Sequence, residues 1–309
     1  MAEITASLVK ELRERTGAGM MDCKRALGEA GGDIEAATDW LRKKGLAAAA
    51  KKAGRTTSEG LVGLAVEGRT GAVVEVNSET DFVARNEGFQ ELVRRIARLA
   101  LTAGSDLETL KKATLPETGR TVEEEIAQAI GVIGENMSLR RTAVVSVDQG
   151  AIGSYLHGQL SPGLGRIGVL VGLKGAGDAG RLAELGKQLS MHVAAANPQA
   201  VTVEALDPAV VEREKAIYAG QARDSGKAEN IALKMAEGRL RKFFEESVLL
   251  EQVYVVDTEK RVKQVVEAAT KELGSPVEVT AFVRMALGEG VEKPTGGDFA
   301  AEVAQLAGV

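Results

Sequence analysis

The chain has 309 residues, 44% hydrophobic and 27% charged, with a net charge of −5 and a pI near 5.4. That balance argues against a general nucleic-acid binder, which needs a basic excess against phosphate, and no apolar run nears the roughly 20 residues that cross a bilayer. A single cysteine excludes an intrachain disulfide, and the N-terminus has neither an apolar signal core nor an Arg-rich transit character, so a cytoplasmic protein is expected.

The length suits two or three packing units. Residues 1–54 read as three short helices and a linker. Thr5 is an N-cap after Ile4, with Leu8, Val9 and Leu12 on one face, and Gly17 is the stop. Met20, Cys23 and Leu27 mark a second helix, ended by Gly31 and Gly32. Asp33 caps a third, carrying Ile34, Ala37, Trp40 and Leu41 and ended by Gly45. Three helices around one small core make a bundle of the ubiquitin-associated type. Lys24, Arg25, Lys43 and Lys44 give it a basic face, either a partner surface or simply a solvated one. Residues 46–52 follow as an Ala-rich helical linker, and Gly54 opens a break.

Residues 55–145 read as a first core half. Val62, Leu64 and Val66 alternate, a Gly68-Arg69-Thr70-Gly71 turn follows, and Ala72, Val74 and Val76 return as a half-buried strand alternating with Val73, Glu75 and Asn77. Asn86 caps a helix with Phe89, Leu92 or Val93, Ile96 and Leu99 on its face. Between strand and helix lies the polar turn Ser78-Glu79-Thr80-Asp81-Phe82-Val83. Aromatics are 3% of the chain, so a Phe on such a turn stands out. Two readings are open: Phe82 tucks under the helix as core, or it is an exposed anchor for a partner. A further helix is expected over about 122–137, with Ile126, Ile130 and Ile133 at helical spacing.

The pattern then repeats. Gly150-Ala151-Ile152-Gly153 echoes Gly60-Leu61-Val62-Gly63, the strand at 167–173 echoes the one from Ala72, and the helix at 181–196 echoes the one from Asn86. The second half comprises 146–206 and 247–288, interrupted by an antiparallel helical hairpin at 207–246 that opens on Asp207-Pro208. The hairpin's apolar stripes are narrow: Val210, Glu214, Ile217 and Gln221, then Ile231, Met235 and Phe243 or Phe244. A helix at 262–273 and a strand at 277–284 close this half. Residues 289–309 hold a Gly296-Gly297 hinge and a short helix with Phe299, Val303 and Leu306, either a docking arm or a helix fraying against its own body. The expected class is α+β: a three-helix bundle, two related antiparallel-sheet-plus-helix halves, an inserted hairpin and a C-terminal docking helix.

Familiar chemistry is sparse. There is no Walker A sequence, no His-Glu-x-x-His and no paired CxxC. His192 sits between apolar neighbours and reads as packed, while His157, beside Gly158, reads as a surface contact. Gly175-Ala176-Gly177-Asp178-Ala179-Gly180 fits a dinucleotide fingerprint in outline. Asp178, however, would set a carboxylate where the pyrophosphate belongs. A charged hairpin, not further βα units, follows.

Thr80-Asp81-Phe82-Val83 after Glu75-Val76-Asn77, together with Ala2-Glu3-Ile4-Thr5 and the run from Thr16 to Lys24, resembles bacterial elongation factor Ts over essentially the whole chain. The resemblance implies a guanine-nucleotide exchange factor with no catalytic chemistry and no cofactor or metal of its own. Its partner would be elongation factor Tu, GDP-bound and nucleotide-free, and homodimerisation within a two-to-two complex stays open. Thr80, Asp81, Phe82 and Val83 match the exchange motif, with Asp81 and Phe82 entering a cleft near the partner's magnesium and phosphates. Lys24, Lys52, Ile133, Gly134, His157, Val255, Val256 and Phe299 match further partner contacts. Residues 159–165 depart from the family's pattern as an added loop beside His157. A passive adaptor built on the same modules is the alternative class, and a dehydrogenase a third.

Overall fold

In the computed structural model, which describes residues 4–224 and 229–292, Thr5 and Asp33 cap helices as their positions predict. Helices α1 (Ala6–Thr16), α2 (Met20–Glu29) and α3 (Ile34–Lys52) enclose a small core of Val9, Leu12, Cys23, Leu27, Ala37 and Leu41. Two expectations are corrected here. Met20 is 60% exposed and not in the seam. Gly45 does not end the third helix, which runs on to Lys52. Glycine inside a helix costs roughly 1 kcal/mol relative to alanine. Here it permits a close crossing: a Cβ on Gly131, in α6 (Val122–Ile133), would lie 2.9 Å from the Gly45 Cα. The Ala-rich stretch is therefore the face by which the bundle meets the rest of the chain. Gln128 on α6 supports it, donating to the Thr16 carbonyl at 3.2 Å.

The first core half has strands β1 (Glu59–Glu67) and β2 (Thr70–Ser78), helices α4 (Glu87–Ala103), α5 (Leu107–Lys112) and α6, and strand β3 (Met137–Ser146). Helix α6 stops at Gly134, a left-handed cap with φ of 88°, sooner than expected. The strand after it was not anticipated, because Arg140, Arg141 and Thr142 interrupt its apolar alternation.

The second half repeats this plan with β4 (Gly150–His157), β6 (Ile167–Gly175), α7 (Ala179–Ala196), α10 (Val262–Leu273) and β7 (Val277–Ala286). In each half a hairpin is followed by a helix, and the third strand pairs with the second strand of the hairpin, giving sheet orders β3-β2-β1 and β7-β6-β4. Both sheets carry a bulge at the matching place, after Glu75 and after Gly172. Each hairpin opens on a positive-φ glycine: a Cβ on Gly60 would lie 2.2 Å from the Val76 carbonyl oxygen, and one on Gly150 1.9 Å from that of Leu173. A two-residue strand, β5 (Leu164–Gly165), comes from the second half but pairs with β1 of the first.

The two sheets face one another. Val62, Val73 and Val145 meet Ile152, Leu170 and Met285 between them, α4 and α6 cover the outside of the first sheet, and α7 and α10 the outside of the second. Strand β2 is therefore buried on both faces, where a half-buried strand was expected, and even Glu75 and Asn77 have no exposure. Its second face meets the other half instead of solvent.

Helices α8 (Pro208–Asp224) and α9 (Glu229–Ser247) form the expected hairpin. The expected stripes hold at Val210, Glu214, Met235, Phe243 and Phe244, which are half-buried, but not at Ile217, Gln221 and Ile231. Ile217 and Ile231 are 43% and 47% exposed, while Ala222 and Ala232 are buried. At its base Val211, Phe243 and Phe244 pack on Ala200, Leu206 and Val248.

Candidate functional site

Strand β2 ends at Ser78, and the chain turns through Glu79, Thr80 and Asp81 into a 3-10 turn at Val83–Arg85 before Asn86 caps α4. Phe82 stands at the start of that 3-10 turn and is 73% exposed, the most exposed large apolar side chain among the described residues. Of its two readings, the core one is thus excluded. Asp81 beside it is exposed as well. Val83 departs from the expected contact set: it is buried in the first core and holds the turn from below.

The turn is firmly held. The Ser78 hydroxyl donates to the Thr80 carbonyl at 2.9 Å. Glu135 accepts from both the Thr80 amide, at 2.9 Å, and the Thr80 hydroxyl, at 2.7 Å. Gln90 donates to the Ala84 carbonyl at 2.9 Å, and Asn86 accepts from the Phe89 amide at 3.0 Å. Glu79 takes the Asn136 amide at 2.5 Å and pairs with Arg55 at 3.3 Å. A rigid turn carrying an exposed ring loses little entropy on engaging a partner, so contact energy is not spent on ordering.

Sequence reasoning missed Glu79, Gln90, Glu135 and Asn136. A capping signal identifies Asn86, but no local signal links Thr80 to a carboxylate that approaches it only in the fold. Gly134 and Ile133 adjoin Glu135, so the structure gathers two separate expected patches at one place. Lys52, at the end of α3, donates to the Gly134 carbonyl and ties the N-terminal bundle to the same spot. Ile133 itself is half-buried against the first core.

His157 is exposed at the end of β4, with the Tyr155 hydroxyl 3.3 Å from its Nδ1. A cleft of about 140 Å³ connects its neighbours Gly158, Leu160 and Arg166 to Asp81, Ala84 and Arg85. Lys24 lies apart, on the rim of a groove of about 690 Å³ with Ile4, Val9, Met20 and Met21. Val255 and Val256 are 44% and 59% exposed on the second half. Phe299 lies outside the described residues.

Under that valine segment His192 is fully buried, as expected. The Val255 amide donates to its Nδ1 at 3.2 Å, so Nε2 carries the proton and donates to Gln252 at 2.8 Å. Burial lowers its pKa from the ordinary value of 6.5, against a smaller opposite pull from the Gln252 bond. The folded state therefore binds this proton less readily than the unfolded one. The resulting stability is present in full above about pH 6.5 and is lost as pH falls through the folded pKa. Ring-proton NMR is expected to show His192 titrating below the free value, together with a loss of unfolding free energy from pH 7 to 5. A titration above the free value would contradict the neutral assignment.

The Gly-rich fingerprint has another use. Asp178 caps α7, accepting from the Arg181 amide at 2.8 Å, so its carboxylate occupies the helix N-terminus. Gly177 lies where a Cβ would come within 2.9 Å of Leu273 on α10. Among the described residues, no group of His, Cys, Asp and Glu is arranged to hold a metal, and no helix is long and apolar enough to cross a membrane.

A family model described as elongation factor TS matches residues 79–289, from the base of the Phe82 turn to the end of the second half. Curated relatives match at full length. One, elongation factor Ts of Rhodospirillum centenum, is 60% identical over 308 residues, covering 100% of both chains. Others are elongation factor Ts of Rhodospirillum rubrum, 59% identical over 98% of both chains, and of Parvibaculum lavamentivorans, 56% identical over 99% of both. With these matches and an α+β fold built around the Phe82 turn, the chain belongs to the elongation factor Ts family, which acts in the elongation stage of protein synthesis.

Proposed function

We propose that this protein is a guanine-nucleotide exchange factor for elongation factor Tu, acting by binding alone. The observation that carries the reading is Phe82, 73% exposed on a turn fastened through Thr80 to Glu135 and through Ala84 to Gln90. Full burial of such a side chain is worth about 1.5–3 kcal/mol. That energy is realised only when the partner opens a pocket for the ring. If opening it shifts the groups that hold magnesium and phosphate, the factor binds the nucleotide-free partner better than the GDP-bound one. By linkage it then weakens GDP binding by the same factor. Asp81 adds a directional negative group beside the ring.

Lys52, Gly134 and Ile133 would extend the contact from the base of the turn. Lys24 with the groove at Met20 and Met21 would make a separate one from the bundle. His157, Val255 and Val256 would meet another part of the partner. No step requires bond-making by this chain.

Co-elution and nucleotide release test the reading together. This protein is expected to co-elute with nucleotide-free elongation factor Tu, to lose that complex in excess GDP, and to speed release of labelled GDP at substoichiometric amounts. Stable co-elution unaffected by GDP, with release unchanged, would identify a passive adaptor instead.

A further inference from the structure

Residues 159–165, between β4 and β6, form a loop that belongs to the second half by sequence and to the first by contact. Leu164 is fully buried and pairs with Gly63, and the Leu64 amide donates to the Gly163 carbonyl at 2.9 Å. Arg94 on α4 grips the loop through the Ser161 hydroxyl at 2.8 Å and the Pro162 carbonyl at 3.1 Å. Gln90 spans loop and turn. Its amide nitrogen donates to the Ala84 carbonyl at 2.9 Å, and its oxygen accepts from the Ser161 hydroxyl at 3.0 Å. The added loop and the Phe82 turn are thus fastened to one side chain.

Leu160, in this fixed loop, keeps 49% of its surface exposed. A single exposed leucine is ordinary; its position is not. With Gly158 and Arg166 it lines one wall of the cleft whose other wall is Asp81, Ala84 and Arg85. Asp81, which lines the same cleft, is the chain neighbour of the exposed Phe82.

We propose that this loop is the second wall of the exchange site, and that Leu160 is a further anchor for the same GTPase, covering apolar surface beside the pocket that Phe82 enters. The proposal rests on the exchange reading. It assigns the loop a task that its fixed, internally bonded conformation suits, since a preformed wall adds contact without an ordering cost.

The test uses the full chain with labelled GDP on elongation factor Tu, comparing wild type, Leu160→Ala, Leu160→Asp and Phe82→Ala in one series. Leu160→Ala is expected to slow stimulated release about three- to tenfold, at the lower end of anchor effects. Leu160→Asp is expected to slow it further, by replacing the apolar contact with a carboxylate that must be desolvated in the interface, and both should melt with wild type. If Phe82→Ala releases GDP as fast as wild type, the exchange reading fails and this inference with it. If Phe82→Ala is slow while both Leu160 variants match wild type, only the loop's role is overturned. A clear drop in the melting temperature of Leu160→Ala would assign the residue to the fold and overturn the proposal as well.

Discussion

Phe82→Ala is expected to leave the folded state intact and to slow stimulated GDP release by about thirtyfold or more. The two halves of that expectation have different sources. A ring 73% exposed gives up little on truncation, so the unfolding free energy should move by no more than the roughly ±0.5 kcal/mol of a surface change. A partner anchor, by contrast, costs about 2 kcal/mol or more, which is a factor of about thirty. Phe89 is the internal control: it begins the buried face of α4 and has no exposure. Phe89→Ala should show the reverse pattern, losing about 3–5 kcal/mol of stability with exchange lost only as the fold is lost. Denaturant midpoints and GDP-release rates on the same preparations separate the two. A destabilised Phe82→Ala with normal exchange per folded molecule would sink the anchor reading.

The contrast between these two phenylalanines shows where the sequence is legible. Phe89 declares itself, because Asn86 caps the helix and Leu92, Val93 and Ile96 repeat its spacing. Phe82 does not: a polar turn with one ring in it is consistent with core or anchor until the fold shows which side it faces. The same limit explains β3. Arg140 and Arg141 look like surface residues in the sequence, and only the position of Glu75 on the neighbouring strand makes a buried pairing available. It also explains Gly45, which has the sequence signature of a helix stop but sits mid-helix because α6 crosses there. Local signals, such as caps, turns and alternation, were enough for the hairpins, α7, α10 and β7. What pairs across the chain was not, and the scaffold of the Phe82 turn is of that kind: Glu135 lies 55 residues along the chain from the Thr80 it holds.

A stability effect as large as that of Phe89→Ala is expected at Glu75. Its carboxylate is fully buried between the sheets and is bonded on both oxygens. Oε1 accepts from the Asn77 side-chain Nδ2 at 3.1 Å, from Arg140 at 3.1 Å and from the Gly288 backbone N–H at 2.8 Å. Oε2 accepts from Arg140 at 3.0 Å and from Arg141 at 2.5 Å. Both arginines then continue across the junction, Arg140 to the Glu289 carbonyl at 2.6 Å and Arg141 to the Ala286 carbonyl at 2.8 Å. One side chain thus joins β2, β3 and the segment after β7, and so ties the two halves together. Removing one partner of such a pair leaves the others desolvated and uncompensated, which typically costs about 3–5 kcal/mol. Glu75→Ala is expected to lose that amount in guanidinium unfolding and to speed hydrogen exchange at the Gly288 amide. Glu75→Gln should recover little, because its NH2 group must face an arginine donor or the Gly288 amide. Replacing all three charges together, as Glu75→Leu with Arg140→Met and Arg141→Met, should recover much of the loss, since no buried charge is then left unpaired. A Glu75→Ala protein within about 1 kcal/mol of wild type, with Gly288 still protected, would show that the junction is held by the apolar layer around Val73, Val145 and Leu170 and not by this carboxylate.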